Sequence, residues 1–324
     1  MQILMRKLVA LMCFCTGLVQ AQFQDIDTVA EDLIFLTEKY ISPAAEASVY
    51  QTSGGWYTNF TPKKKFEIEI SLQYNLLFIP NKFKTFLINE SELQNITIQG
   101  NETSSELPTA LGNNDFIVLE GTIDGDVFEF NSPEGINENP LDHGQIQATV
   151  GLWAQTNVIL RYTPNIKINN TEYNSFGIGI AHHLNQWINP LKDSSFYLGL
   201  LLTYSNFKVE DTFNEVDLML GSINSMKVDG GSFGFNIVGS KSINQFDFAG
   251  SLGLAMSNFN YKADGTGALF LAVLNTSLNK LDKSMTNFKA DFNVNYRIKD
   301  FSLNGMITIG SFTNLNLGIN YNIN

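Results

Sequence analysis

Cysteine is nearly absent from this chain, and its two cysteines, Cys13 and Cys15, both lie close to the N-terminus. The same stretch carries Arg6 and Lys7, a short apolar run and small residues up to Ala21, which is the form of a secretory signal peptide. We therefore expect residues 1–21 to be removed after secretion. The mature chain would then have no thiol, which excludes disulfides, cysteine nucleophiles and cysteine-ligated metals.

Basic residues are also scarce, with 20 Lys and Arg against 32 Asp and Glu and a formal net charge of −12. Loss of Arg6 and Lys7 with the signal peptide leaves 18 basic residues against 32 acidic ones, a net charge of −14. Such a chain is not expected to bind nucleic acid. The sequence beyond the signal peptide has no apolar run of ~18 residues, so no transmembrane helix is predicted.

The chain is instead rich in stretches whose apolar and polar residues alternate, the period of a β-strand with two different faces. Several of these stretches have the length, ~9–11 residues, that a tilted strand needs to cross a bilayer. The ten clearest stretches are residues 66–79, 145–152, 158–168, 176–180, 196–204, 233–237, 246–256, 288–298, 301–309 and 315–323. The pattern between residues 80 and 144 is weaker and predicts two or four further strands plus a long loop.

This pattern predicts an all-β fold, a transmembrane antiparallel β-barrel of about 12–14 strands, over residues 61–324. The alternative is a soluble sandwich or a soluble lipid-binding barrel with the same alternation. The length of the strands favours the membrane barrel. Short turns at residues 155–156, 240–244 and 299–300 would then be periplasmic, and long loops at 210–230 and 262–284 external.

Residues 22–60 precede the barrel and are predicted to form a helical, plug-like segment. Apolar residues recur at helical spacing from Asp25 to Ile41, and Pro43 is expected to end this helix. We interpret the segment, which includes Trp56 and Tyr57, as a plug in the barrel or a helix on its periplasmic side. The alternative is a surface helix without a function.

Charged residues in the strands alternate with membrane-facing ones, so they are expected to line the lumen. These residues are Glu67, Glu69, Arg161, Lys167, Lys289, Asp291 and Arg297. They would serve as structural ion pairs beneath a plug or as a substrate path. Pro164 interrupts a strong strand and should kink it, which would make either a lateral exit from the barrel or a harmless bulge at its edge.

Three short motifs are candidates for chemical sites. Residues 230–234 fit the G-x-S-x-G elbow of hydrolases, but an alternating strand follows where a helix is required. His182 and His183 are adjacent and would point to opposite faces of a strand, which disfavours a shared metal ion. Residues 124–126 lack the spacing of a calcium loop. We therefore expect no catalytic residues, no metal site and no cofactor.

Two stretches, Tyr40–Pro43 with Ser53–Tyr57 and Ser175–His183 with Gln186–Ile188, resemble an uncharacterised family of outer-membrane barrels from Bacteroidota, a domain of unknown function. More distantly, the layout is similar to FadL-type transporters of hydrophobic compounds. The chain departs from most outer-membrane barrels by ending on Asn324 rather than on an aromatic residue.

The resemblance implies a Gram-negative outer-membrane protein that contacts membrane lipids and acts as a passive channel or transporter for small hydrophobic molecules. The alternative is a scaffold that transports nothing and binds a protein or surface polymer through its external loops.

Overall fold

The structure is a computed structural model that describes residues 2–100, 102–123, 125–192, 194–218, 221–281 and 284–323, with side chains from Thr28 onward. The signal peptide predicted for residues 1–21 lies where no side chains are described, so it stays a prediction. The helices are α1 (Gln2–Ser53) and α2 (Ala268–Leu278), with short 3-10 turns at Asn81–Phe83, Glu90–Glu92 and Asn189–Leu191. The strands are β1 (Ile68–Phe78), β2 (Thr85–Asn89), β3 (Ile96–Ile98), β4 (Ser104–Pro108), β5 (Val118–Ile123), β6 (Asp126–Asn131), β7 (Leu141–Gly151), β8 (Thr156–Ile168), β9 (Thr171–His183), β10 (Phe196–Asp217), β11 (Ser222–Ile243), β12 (Phe246–Thr266), β13 (Ser284–Ile298), β14 (Phe301–Ile309) and β15 (Thr313–Ile323).

Ten of these strands form a closed antiparallel barrel, β1 and β7 to β15, in which β1 pairs with β15 to close the wall. The all-β barrel prediction is confirmed, and the ten barrel strands overlap the ten clearest alternating stretches. The barrel has ten strands rather than 12 to 14, because the strands between β1 and β7 form two small sheets, β2–β4 and β3–β5–β6. Only the part of the chain described in the structure enters this count.

The wall of the barrel is polar inside and apolar outside. On β1 the inward side chains Ser71 and Asn75 are fully buried, whereas the outward Leu72 is 60% exposed. Exposed aromatic residues mark both ends of the outer face, as in the interfacial girdles of membrane barrels. They include Tyr74, Tyr162, Phe176, Tyr204 and Phe233 at one end and Trp153, Phe196, Phe246, Tyr296, Phe301 and Tyr321 at the other. A soluble barrel has the opposite pattern, so this wall is built to face lipid.

The two ends of the barrel differ. One end has the two-residue turns 244–245 and 299–300 and the connection 184–195. The other has the two-residue turn 169–170 but also the longest segments, 79–140 and 267–283. Following the asymmetry of outer-membrane barrels, we call the second end external and the first periplasmic. No helix within the described residues is long and apolar enough to span a membrane.

The external end is more regular than predicted. The expected loop 210–230 is instead a continuation of β10 and β11, each of 22 residues, which pair beyond the apolar band. The expected loop 262–284 contains the end of β12 and helix α2. Cross-strand ion pairs stabilise the extension, since Lys227 lies 3.1 Å from Glu210 and 2.9 Å from Asp264.

Helix α1 connects the external sheets with the lumen. At the external end the carboxylate of Asp32 accepts backbone N–H groups of Gln94, Asn95 and Ile96, at 2.7–3.0 Å, beside β3. The helix does not end at Pro43 but runs through it to Ser53. The free energy gained by burying the following helical turns in the barrel outweighs the cost of the backbone hydrogen bond that Pro43 cannot donate. The chain then leaves the lumen at the periplasmic end, where the backbone N–H of Phe66 donates to Gly151.

Candidate functional site: the occupied lumen and the cavities above it

The lumen is occupied by the end of α1 and the residues that follow it. Trp56, Tyr57 and Phe60 are at most 4% exposed and pack on apolar side chains that face inward from the wall. This patch consists of Ile159, Ala181, Leu201, Val238, Ala249 and Met306. Gly177 and Gly179 leave room for the indole, because a Cβ on Gly177 would lie 2.7 Å from Trp56 Cη2. We call residues 45–63 the plug segment.

Two cations from the wall cap the C-terminal end of α1. Arg161 donates to the carbonyl oxygens of Thr52 and Gly54, at 3.2 and 2.7 Å, and its guanidinium lies 4.1 Å from the centre of the Trp56 ring. Lys289 donates to the Ser53 carbonyl at 3.0 Å. Helix ends leave carbonyl oxygens without partners and carry partial negative charge, so both contacts are favourable. The wall thus holds the plug segment by three successive carbonyl groups.

The charge of Lys289 is balanced inside the lumen. Its ammonium group lies 2.7 Å from Asp291. That carboxylate also accepts hydrogen bonds from Ser251 and Thr308, at 2.5 and 2.7 Å. Because every oxygen of Asp291 has a donor, the pair can remain charged where it is buried.

A second buried ion pair lies nearer the periplasmic end. Lys63, in the plug segment, lies 2.9 Å from the carboxylate of Glu69 on β1. Thr58 donates to the other oxygen of Glu69 at 2.5 Å. No pattern in the sequence indicates that the partner of Glu69 comes from the plug segment itself. Charged and apolar contacts together close the lumen in this structure.

The other predicted lumen residues lie elsewhere. Glu67 precedes β1 and accepts the backbone N–H of Lys64 in a turn at the periplasmic end. Arg297 is exposed at the same end and donates to the Asn244 carbonyl. Lys167 is exposed at the external end. Of the seven predicted residues, four therefore lie in the lumen: Glu69, Arg161, Lys289 and Asp291.

Pro164 explains the position of Lys167. The register between β8 and β9 shifts between Thr163 and Ile166, which places one extra residue in β8 at Pro164. A bulge of one residue reverses which face the following side chains point to. Pairing of β8 with β7 also ends just before this point, at Tyr162. The wall above that position has no ladder between β7 and β8.

Two apolar cavities of about 50 Å³ each lie between α1, the external sheets and the extended strands. They adjoin one another, since Tyr40 and Met226 line both. The outer cavity is lined mainly by Leu33, Leu36, Phe86, Leu107, Leu119, Phe130, Phe213, Val216 and Ile223. The inner cavity is lined mainly by Ile41, Ala44, Leu111, Ile136, Leu141, Ile168, Tyr173, Val209 and Val228.

A small polar cluster lies where the cavities meet. The Tyr40 hydroxyl donates to Asp211 at 2.8 Å, and Thr171 donates to the other oxygen of Asp211 at 2.7 Å. Both groups lie above the apolar band. Burial raises the pKa of Asp211, and burial beside Asp211 raises the pKa of Tyr40 well above its usual value. This cluster is the main polar feature of an otherwise apolar lining.

Two of the three candidate chemical motifs belong to the wall of the barrel. Ser232, of the G-x-S-x-G match, lies in mid-strand and is 3.0 Å from Ser257 Oγ. His182 and His183 face opposite sides of β9, and Trp187 Nε1 contacts His182. The calcium interpretation falls partly on Asp124, outside the described residues. Among those described, no three His, Cys, Asp or Glu side chains are grouped to hold a metal ion.

Solved structures with similar folds are distant membrane barrels. The translocator domain of the autotransporter NalP from Neisseria meningitidis is 9% identical, with 88% of this chain and 99% of that chain covered and a TM-score of 0.35. A FadL homologue from Pseudomonas aeruginosa is 13% identical over 79% of this chain and 65% of that one, with a TM-score of 0.33. Ail of Yersinia pestis, crystallised with a heparin analogue, is 7% identical over 80% and 100%, with a TM-score of 0.29.

No protein with a curated description matches the chain. One family model matches it over residues 1–323. The chain therefore belongs to DUF6588, a family of unknown function.

Proposed function

We propose that this chain is an outer-membrane barrel that binds small apolar molecules at its external end and passes them toward the membrane. The observation that carries the proposal is the pair of adjoining apolar cavities on either side of Tyr40 and Met226. Concave apolar sites with a few polar groups are typical of small-molecule binding. At about 50 Å³ each, the cavities must widen to admit more than a very small ligand.

The lumen below the cavities is closed, so passage needs another route or a moving plug segment. The wall beside the inner cavity offers a lateral route. Leu141 on β7 and Ile168 on β8 both line this cavity, and they flank the part of the wall that has no ladder. The segment 136–138 covers this position through hydrogen bonds from Asn169 to Ile136 and Glu138.

Met226→Trp tests the binding site. The larger side chain would fill the contact between the cavities, and we expect uptake of radiolabelled naphthalene by cells that carry the barrel to fall to background. The matched control is Met256→Trp, because Met256 is 46% exposed on the lipid-facing side. Uptake at the unsubstituted level, with a folded barrel by heat-modifiable gel migration, would refute the proposed site.

Deletion of Pro164 tests the lateral route. Without the extra residue, β8 can pair continuously with β9 while Ile166 keeps its partner Tyr173. Loss of the proline also lets β8 extend its ladder with β7 beyond Tyr162, which would close the route. We expect naphthalene uptake to drop although the purified barrel still binds the compound. Pro164→Val is a milder version, and Pro190→Val in a periplasmic connection is the control. Unchanged uptake in both Pro164 variants would exclude this route.

A second function is favoured by the filled lumen. A barrel sealed by ion pairs and aromatic packing can act as a scaffold whose external sheets bind a protein or a surface polymer. The two functions differ in one measurement, because a scaffold gives no uptake above that of cells without the barrel.

A further inference from the structure

The outer cavity opens through a groove between β6 and the extended part of β10. This groove has a volume of about 320 Å³. Phe130, Pro133, Phe213 and Val216 line both the groove and the outer cavity, so the two are continuous. The groove, the outer cavity and, past Tyr40 and Met226, the inner cavity therefore adjoin in that order, and they form a path for a ligand when the cavities widen.

The charges along this path have one sign. The groove is lined by four acidic residues, Glu129, Glu134, Glu215 and Asp217. The inner cavity is lined by Asp211. No described residue that lines the groove or either cavity is Lys, Arg or His. Among the described lining residues, an anionic ligand would meet carboxylates and no basic side chain, which is least favourable beside the partly buried Asp211.

The inner cavity also contains a polar atom without a hydrogen-bond partner. The side chain of Tyr173 is 5% exposed and lines this cavity, and its hydroxyl makes no hydrogen bond of normal geometry. Ser175 approaches this hydroxyl without completing one. A buried hydroxyl normally has a partner, so a ligand with a donor group fits beside it.

We infer that the path takes apolar molecules that carry a positively charged amine, rather than apolar carboxylates, with the amine held by Asp211 in the inner cavity, which the Tyr173 hydroxyl also lines. Each carboxylate oxygen of Asp211 accepts one hydrogen bond from the protein and can accept another. The acidic groove attracts the same charge. This inference rests on the proposed function, since it names the ligand class of the same cavities.

Three ligands with the same apolar part test the inference: 4-phenylbutylamine, 4-phenylbutanol and 4-phenylbutyrate. Their binding is measured by calorimetry on the full-length barrel in non-ionic micelles, at high salt, with protein-free micelles as the blank. We expect the amine to bind about tenfold more tightly than the carboxylate, the size of one charge-assisted hydrogen bond. Asp211→Asn should remove most of this preference, with the affinity of the alcohol in the same variant as the reference for the apolar part.

Asp229→Asn is the matched control, because Asp229 is an exposed external carboxylate that lines none of these cavities and lies 3.6 Å from Lys208. An equal loss in both variants would show general attraction to an acidic protein and overturn the inference. Equal binding of all three ligands would also overturn it but leave the proposed function standing. If none of the three bound, the proposed function itself would fail.

Discussion

Replacing Arg161 with methionine is expected to release the plug segment and make the barrel conduct ions. Methionine keeps much of the volume but loses the bonds to Thr52 and Gly54 and the contact with the Trp56 ring. It also leaves Gln147, which accepts two hydrogen bonds from the guanidinium, without a donor. A buried acceptor left without its donor typically costs about 1–3 kcal/mol.

Two measurements check this expectation. The temperature at which the folded band disappears in heat-modifiable gel migration should fall, and planar bilayers should show step-like conductance that the unsubstituted barrel lacks. Arg297→Met is the matched control. Arg297 is exposed at the rim, its ion pair with Asp247 is 3.4 Å long, and Asp247 keeps hydrogen bonds from Ser242 and Asn295, so its loss should cost less than that of Arg161. A silent, fully stable Arg161→Met barrel would refute the capping role.

Gly177→Val is expected to displace Trp56 while the wall stays closed. The first side-chain carbon alone would lie 2.7 Å from the indole and 3.2 Å from Ser205 Oγ. Valine suits a β-strand, so the backbone of β9 should persist. Overpacking of this kind typically costs about 1–3 kcal/mol, and here the ring has to leave its site. We expect Trp56 to become accessible to water, which tryptophan quenching by acrylamide measures.

Trp153 and Trp187 also contribute to that signal, so each measurement is repeated in a barrel that carries phenylalanine at both positions. Gly305→Val is the matched control. A Cβ at Gly305 meets only a Leu317 methyl at 3.6 Å, on the outer face of the wall. If Gly177→Val left quenching at the level of Gly305→Val, the close fit between β9 and Trp56 would not hold the plug segment.

The barrel strands could be predicted because the alternation of polar and apolar residues is local to each strand. The stretch from residue 80 to 144 could not, since its strands have three to six residues and show too few alternations. Lys167 was misplaced for a different reason. A single bulge at Pro164 reverses the alternation, and sequence shows where a proline lies but not how the neighbouring strand pairs with it.

The candidate site was only partly visible in the sequence. Arg161, Lys289 and Asp291 stand out as charged residues on the polar faces of alternating strands. Trp56 lies in the segment assigned to the plug. The cavities are different, because they bring together residues as distant in the chain as Leu33, Leu107 and Phe213. Long-range contacts of this kind leave no periodic signal. The apolar patch beneath Trp56 places single apolar residues where the strands otherwise have inward polar ones. Such positions are hard to recognise before it is known that Trp56 packs on them.

The course of the chain through the barrel constrains how the molecule can assemble. Helix α1 comes from the external sheets, the plug segment descends through the lumen, and β1 begins at the periplasmic end. The wall closes only when β1 pairs with β15, the last strand of the barrel. If the ring closed first, the preceding segment would have to be threaded through a lumen filled with side chains. Closure around a segment already in place avoids this step, so the plug would act as the template on which the ring forms.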